Sequence, residues 1–287
     1  MGLITIDQDE CIQCKMCVNE CPTYALTMGE QGPEATSPTA CFECGHCVAV
    51  CPNEAIDHSL TPLAGQLPIT EFSKFSAEEA ERFLRSRRSI RSYKKTAVPR
   101  EKLLQLVEIA RFAPTGGNTQ GISYVIVDDK ETLRKASEMT IQSLENDPVL
   151  GMRYSAIVDA YREQGTDVIL RDAPSLILTT AAKDFKNGRE NSIFSLTYLE
   201  LFAPSLGLGS CWAGGLEFCA CAEDSPMLEL FHIPEDKVIT GAVMVGYPMY
   251  QYKRLVDRNP LDVAFFSNGK QKNNVPSPSI SKNLEVR

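Results

Sequence analysis

Two cysteine runs, thirty residues apart, constrain this chain more than any other feature in it. Cys11, Cys14, Cys17 and Cys21 recur as Cys41, Cys44, Cys47 and Cys51, and each run closes on a proline, Pro22 or Pro52. Eight of the eleven cysteines therefore fall within residues 11–51, with Cys211, Cys219 and Cys221 far downstream. A disulfide scaffold can use eight cysteines, but such scaffolds are small secreted domains. The start "MGLITIDQDEC" has neither the basic residues nor the apolar segment of a secretory signal. The expectation is a cytoplasmic protein whose reduced thiols bind metal.

Each run reads C-x-x-C-x-x-C-x-x-x-C-P. Soft thiolates suit iron–sulfur clusters, and three closely spaced cysteines can wrap three corners of one cubane while the fourth is carried to its neighbour. That reading assigns Cys11, Cys14, Cys17 and Cys51 to one 4Fe–4S cluster and Cys41, Cys44, Cys47 and Cys21 to a second. Structural zinc also takes four thiolates, but zinc modules present them as two pairs rather than as three plus a distal one. Residues 1–58 thus resemble the bacterial two-cluster ferredoxins. His46 sits between two ligands of a complete set and reads as a neighbour of the site. His58 and His232 receive no role.

At 287 residues, 43% hydrophobic, the chain can hold a second domain with a sizeable core. A formal charge of −8 argues against general nucleic-acid binding. The longest apolar runs, "APSLILTTAA" and "VITGAVMVGYP", are strand-sized, so no membrane span is expected. "SLTPLAGQLPIT", itself uncharged and interrupted by Pro62, Gly65 and Pro68, opens a linker over 59–75. At Ser76 a helix begins, with Glu79 three residues on to complete a capping box.

Charge then changes sign. From Arg82 to Arg100 there are eight basic residues and no acidic one. A solvated basic face would explain this alone, but "RRSIR" alternates guanidinium forks with a serine hydroxyl, a pattern suited to a phosphate monoester. "RSRRSIRSY" resembles the opening motif of the flavin-dependent nitroreductase family. Later motifs follow in the family's order: helical "VPREKLLQLVEIARFAP", then "APTGGNTQ", "GLGSCWAGG" at 207–215 and "VGYPMYQYKR" at 245–254.

The resemblance implies FMN held at the interface of a homodimer. Arg87, Ser89 and Arg91 would hold the phosphate, ribityl chain and pyrimidine edge, with Arg88 lining the same site and Arg254 closing on the phosphate. Tyr252 stands where the family has a basic residue, which Lys253 replaces in part. In Pro114–Asn118, Gly116 and Gly117 would let backbone approach the ring while Thr115 and Asn118 offer polar atoms. Without the resemblance, these glycines read as a helix C-terminus. Gly214 and Gly215 would present backbone N–H to the flavin's central ring; otherwise the pair reads as a turn. No side chain is singled out as a catalytic acid or base. Cys211, Cys219 and Cys221 read as buried inert thiols, and Trp212 as packing.

Strand-like "ISYVIVDD", "SLILTTAA" and "VITGAVMVGY" interleave with helical "SIFSLTYLELFAPSLG", which predicts an α+β fold. It would be a nitroreductase-like sheet with surrounding helices, preceded by a small ferredoxin-like two-cluster domain. The FMN domain is expected over 76–265 and a polar C-terminal tail, mobile or laid on the partner subunit, over 266–287. The implied activity passes electrons between clusters, FMN and a small electron-poor organic acceptor, nitroaromatic, quinone or similar, with NAD(P)H as transient donor or reduced ferredoxin as a redox partner. The alternative is an electron-transfer module relaying between proteins with no dedicated small substrate.

Overall fold

The computed structural model describes residues 3–69, 74–267 and 270–273, so part of the expected linker, 70–73, and most of the expected tail, 274–287, lie outside the described residues. The chain divides into two compact units, Met1–Tyr250 and Gln251–Arg287. In the second, β-strands Ala264–Ser267 and Lys270–Asn273 pair antiparallel. The run "AFFS" ahead of Asn-Gly is a hairpin signal.

The thirty-residue repeat of the sequence is also a repeat of structure. Strand β1 (Ile4–Ile6) precedes helix α1 (Met16–Asn19), strands β2 (Leu26–Met28) and β3 (Pro33–Ala35), helix α2 (His46–Ala49) and strand β4 (Ile56–His58). Helix α2 lies thirty residues after α1, and β4 thirty after β2. β1 pairs antiparallel with β4 across the two cysteine runs, and β2 pairs with β3 between them. Backbone strain repeats too: Gln13 and Glu43, Lys15 and Gly45, and Tyr24 and Glu54 all take left-handed φ between 54° and 70°. Five of these six are not glycine, so the chain accepts a conformational cost to wrap its cysteines the same way twice.

After this region come α3 (Ala77–Ser86), α4 (Arg100–Ala110), β5 (Ser123–Val127), α5 (Lys130–Asn146), α6 (Pro148–Arg153), α7 (Ser155–Gln164) and β6 (Ser175–Ala182). Helix α8 (Gly188–Phe202), β7 (Gly209–Trp212), α9 (Gly214–Ala220), α10 (Met227–Leu230) and β8 (Lys237–Gly246) complete the unit. Helix α3 starts with the expected reciprocal cap: Glu79 N donates to Ser76 Oγ at 3.2 Å and Ser76 N to Glu79 Oε2 at 2.8 Å. β5, β6, β8 and β7, in that order, form one antiparallel sheet.

The sheet is buried on both faces, which is why its central strands read as continuous apolar runs. Leu176 and Leu178 of β6 and Ala242 and Met244 of β8 face a core shared with α5, α9 and α10. Their neighbours Ile177, Val243 and Val245 face the opposite way, against Leu103 and Leu106 of α4 and Leu196 and Leu199 of α8. The alternation is the period-two geometry of a strand serving two layers. Among the described residues no helix is long and apolar enough to cross a membrane.

Candidate functional site

Cys11, Cys14, Cys17 and Cys51 line one cavity of the N-terminal region, with Ile12, Met16 and Ile56 among its apolar walls. Cys21, Cys41, Cys44 and Cys47 line a second, with Ile4, Leu26, Phe42 and His58. The thiols are thus brought together in the crossed sets that the spacing predicts. No three of them, nor any other trio of His, Cys, Asp or Glu among the described residues, converge on a single-ion site.

The thiols differ in their electrostatics. Burial pushes Cys47 up to about 11 against the pull of the Val48 N–H, and like charge on Cys44 and Cys41 adds to the rise. Cys17 rises, again chiefly through burial. Cys21 moves the other way: burial opposes ionisation, but N–H groups of Thr23, Leu26 and Ala25 and the Thr23 hydroxyl together outweigh it. Backbone donors also reach the sulfurs, Glu43 N to Cys41 Sγ at 3.4 Å and Ala55 N to Cys51 Sγ at 3.3 Å. N–H donors directed at sulfur suit thiolates, the form in which cysteine binds metal.

The basic motif lies along the edge of the large sheet. Ser89 bridges to Ser210 of β7, with Ile90 N donating to Ser210 O at 2.9 Å, and Tyr93 bridges to Pro248 just after β8. Two cross-strand glycines create the room. A Cβ on Gly209 would lie 2.4 Å from Ile90 Cγ1, and one on its partner Gly246 would lie 2.8 Å from Tyr93 Cδ1 and 2.6 Å from Pro174 Cδ. These glycines of "GLGS" and "VGYP" are demanded by the passage of the 89–93 segment.

Ser89 is therefore held by backbone pairing, and Arg87 and Arg91 on either side of it each keep a loose contact. Arg87 meets Glu200 at 3.6 Å, and Arg91 donates to Ser89 O at 3.4 Å. By contrast, Arg162 forks onto Glu138 and Glu145 at 2.7–3.0 Å. Burial raises the Glu200 pKa, with Arg87 and the Ser210 hydroxyl opposing the rise. Arg88 is half-buried on the same segment. Arg254, exposed, belongs to the second unit.

Gly214 and Gly215 open helix α9 directly after β7. A Cβ on either would meet nothing closer than 3.8 Å (Trp212 Cδ1) or 3.7 Å (Ile169 Cδ1). Unlike Gly209 and Gly246, they are not required by this chain's own packing, and they leave a backbone surface that a planar group can approach. Glu217, one turn on, anchors the helix: its carboxylate accepts Ala242 N at 3.0 Å and a two-pronged contact from Arg189, also 3.0 Å on each arm. Arg189 lies over the Trp212 ring at 5.2 Å, so Trp212 packs beneath an ion pair. The sequence reading overlooked this support, since Arg189 and Glu217 are 28 residues apart and share no motif. Cys211 and Cys219 are buried and Cys221 is half-buried; burial is the leading cause that raises each pKa, Cys221 to about 11.

Pro114 leads into the loop Thr115–Asn118, where Thr115 Oγ1 accepts Gln120 N at 3.0 Å and Gly116 opens a short 3₁₀ turn. Asn118 goes somewhere the sequence did not point. Its Nδ2 donates to the carbonyls of Phe42 and Glu43, at 3.0 and 3.1 Å, and the Phe42 ring lies 3.5 Å from where a Gly117 Cβ would stand. Phe42 and Glu43 lie between Cys41 and Cys44, so the "PTGGN" loop seats directly on a cysteine loop of the N-terminal region.

Residues 84–247 match the nitroreductase family, and residues 10–56 match the 4Fe-4S dicluster domain. The chain belongs to the nitroreductase family, and is an oxidoreductase with an N-terminal dicluster domain. It is 28% identical over 167 residues to the iodotyrosine deiodinase of Thermotoga neapolitana, a match spanning 57% of this chain and 86% of that one. It is equally 28% identical, over 178 residues, to the NADH dehydrogenase of Thermus thermophilus, covering 56% and 83% of the two chains. The fold is that of a nitroreductase with bound FMN from Bacteroides fragilis, with a TM-score of 0.51 at 21% identity over 64% of this chain and 98% of that chain.

Proposed function

We propose that this chain is an FMN-dependent oxidoreductase of the nitroreductase type, in which two 4Fe–4S clusters exchange single electrons with the flavin and a small electron-poor organic molecule receives or supplies electron pairs. The observation that carries the reading is the seat of "PTGGN" on the Cys41–Cys44 loop. FMN, when bound, supplies the interconversion of one- and two-electron chemistry. The residues supply the rest. Arg87, Arg88, Ser89 and Arg91 bind the phosphate and polar edge of the cofactor, on a segment pinned to β7. Thr115 and Gly116, following Pro114, give polar and close-approach surface, and Gly214 and Gly215 present backbone N–H where negative charge develops, without a titratable side chain. The cysteines hold the clusters in the crossed sets Cys11, Cys14, Cys17, Cys51 and Cys21, Cys41, Cys44, Cys47.

The functional form in this reading is a homodimer. Leu104, Phe112 and Phe194 are 61%, 59% and 50% exposed, an apolar surface on α4, its C-terminal extension and α8 that a second copy would cover. Relatives with two different printed activities leave the acceptor class open, and the Thermus name makes NADH the first donor to try.

The test is an anaerobic titration of the purified protein with NADH and NADPH, following flavin and cluster absorbance separately. Prompt bleaching of flavin by a nucleotide, followed by cluster reduction, is expected. Bleaching by reduced ferredoxin alone, with no turnover of quinones or nitroaromatics, would replace this reading with a relay between proteins.

A further inference from the structure

The two cysteine sets are related by a thirty-residue shift, yet their surroundings are not. His58 is 1% exposed, and its Nδ1 accepts two backbone N–H groups, from Leu60 and Thr61, both at 3.2 Å. A ring nitrogen that accepts carries no proton, so the hydrogen of the neutral ring lies on Nε2. That nitrogen is 3.7 Å from Cys41 Sγ. Asp57 fixes the turn, accepting His58 N and Leu63 N at 2.8 Å each. The ring therefore has one orientation, with its single N–H directed at a cluster thiol.

The equivalent position in the first repeat is Met28, which has no N–H to give. A second difference runs the same way. Thr23 Oγ1 stands 3.8 Å from Cys21 Sγ, in the same set as Cys41, whereas its repeat-mate Asn53 donates its amide to Glu10 O at 3.1 Å. Hydrogen bonds to ligand sulfur favour the more negatively charged, reduced state and so raise the reduction potential.

We infer that His58 is a positioning residue that makes the Cys21, Cys41, Cys44, Cys47 site the higher-potential of the two, so that the first electron to enter the dicluster region settles there. This rests on the cluster reading proposed above. It gives the asymmetry a purpose, because the favoured site is the one whose Cys41–Cys44 loop is held by Asn118 and Gly117. One electron leaves the Cys11 side and one arrives at the Cys41 side, with no proton or bond exchanged. Electrons are thus gathered on the side of the FMN-binding domain.

The experiment is a potentiometric titration followed by electron paramagnetic resonance on full-length protein, loaded and of verified iron content. His58→Asn keeps an oxygen where Nδ1 accepts the turn's N–H groups but removes the donor to Cys41; His58→Gln restores a donor at the reach of Nε2. His58→Asn is expected to shift one cluster's equilibrium about tenfold towards the oxidised state, ~59 mV more negative for one electron. The other cluster should stay in place, and His58→Gln should return the first towards wild type. An unmoved midpoint in His58→Asn, or equal movement of both, overturns the inference. Should the variants fail to load, His46→Gln protein with ¹⁵N-labelled histidine decides the matter. Nitrogen coupling in its one-electron-reduced signal supports His58, and lack of coupling overturns it. Wild-type protein that binds no iron at all would instead remove the cluster reading beneath it.

Discussion

The dicluster region and the sheet region solve the same problem with different means. The first buries a core of four residues, Cys17, Leu26, Val48 and Ile56. The second divides twenty-one and eleven buried residues between the two faces of one sheet. A few apolar side chains cannot offset the ordering of some fifty residues, so small domains of this kind depend on metal or cross-links. The sheet region has no such need. Stability here is local, and the two regions should fail by different routes.

Removing the clusters breaks the comparison most sharply. Iron chelation under reducing conditions should abolish the ordered circular-dichroism signature of the first region entirely, while the main thermal transition of the sheet region persists; loss of both together would refute independent stabilisation. Leu176→Ala should do the reverse. It empties a site with no exposure at the centre of the sheet, so a loss of about 2–5 kcal/mol is expected in denaturant unfolding, with iron content unchanged. Ser76→Ala removes the cap of α3, which starts the second region, and should cost about 1 kcal/mol by the same method.

The smallest effect depends on pH. Glu200 is held above the ordinary carboxylate range by burial, with Arg87 and Ser210 opposing. A carboxyl that binds its proton more tightly when folded loses stability as pH rises from its unfolded pKa through its folded one. Glu200→Gln should therefore gain on wild type as pH is raised through that window and then hold a constant advantage above it. A gain that grows as pH falls would show that the Arg87 contact outweighs burial.

Much of this was legible in the sequence because the relevant signals are local. Cysteine spacing gave the crossed sets, the Ser76–Glu79 pair gave a helix start, and the apolar runs "SLILTTAA" and "VITGAVMVGY" gave the two central strands. Non-local relations were not legible. "GLGS" and "VGYP" contain glycines whose necessity lies in Ile90 and Tyr93, more than a hundred residues away, and only the register of β7 on β8 brings them together. Asn118 looked like a cofactor contact because its neighbours in sequence do; its amide partners are 75 and 76 residues upstream. His58 carried no motif at all. What signalled it was the difference from Met28 within an otherwise faithful repeat, visible only once the ring's surroundings were known.

The crossed arrangement of fourth cysteines has a consequence for how the protein is made. Cys21 lines the cavity of the later run and Cys51 that of the earlier one. As the chain leaves the ribosome, three thiols of the earlier site are out by residue 17, yet its set stays open until residue 51. The later set is complete at residue 47, so the site that begins second closes first. Both become fillable within the same brief stretch of synthesis. The earlier site thus waits with three of its four thiols from residue 17 to residue 51, and the two nests are then finished almost together.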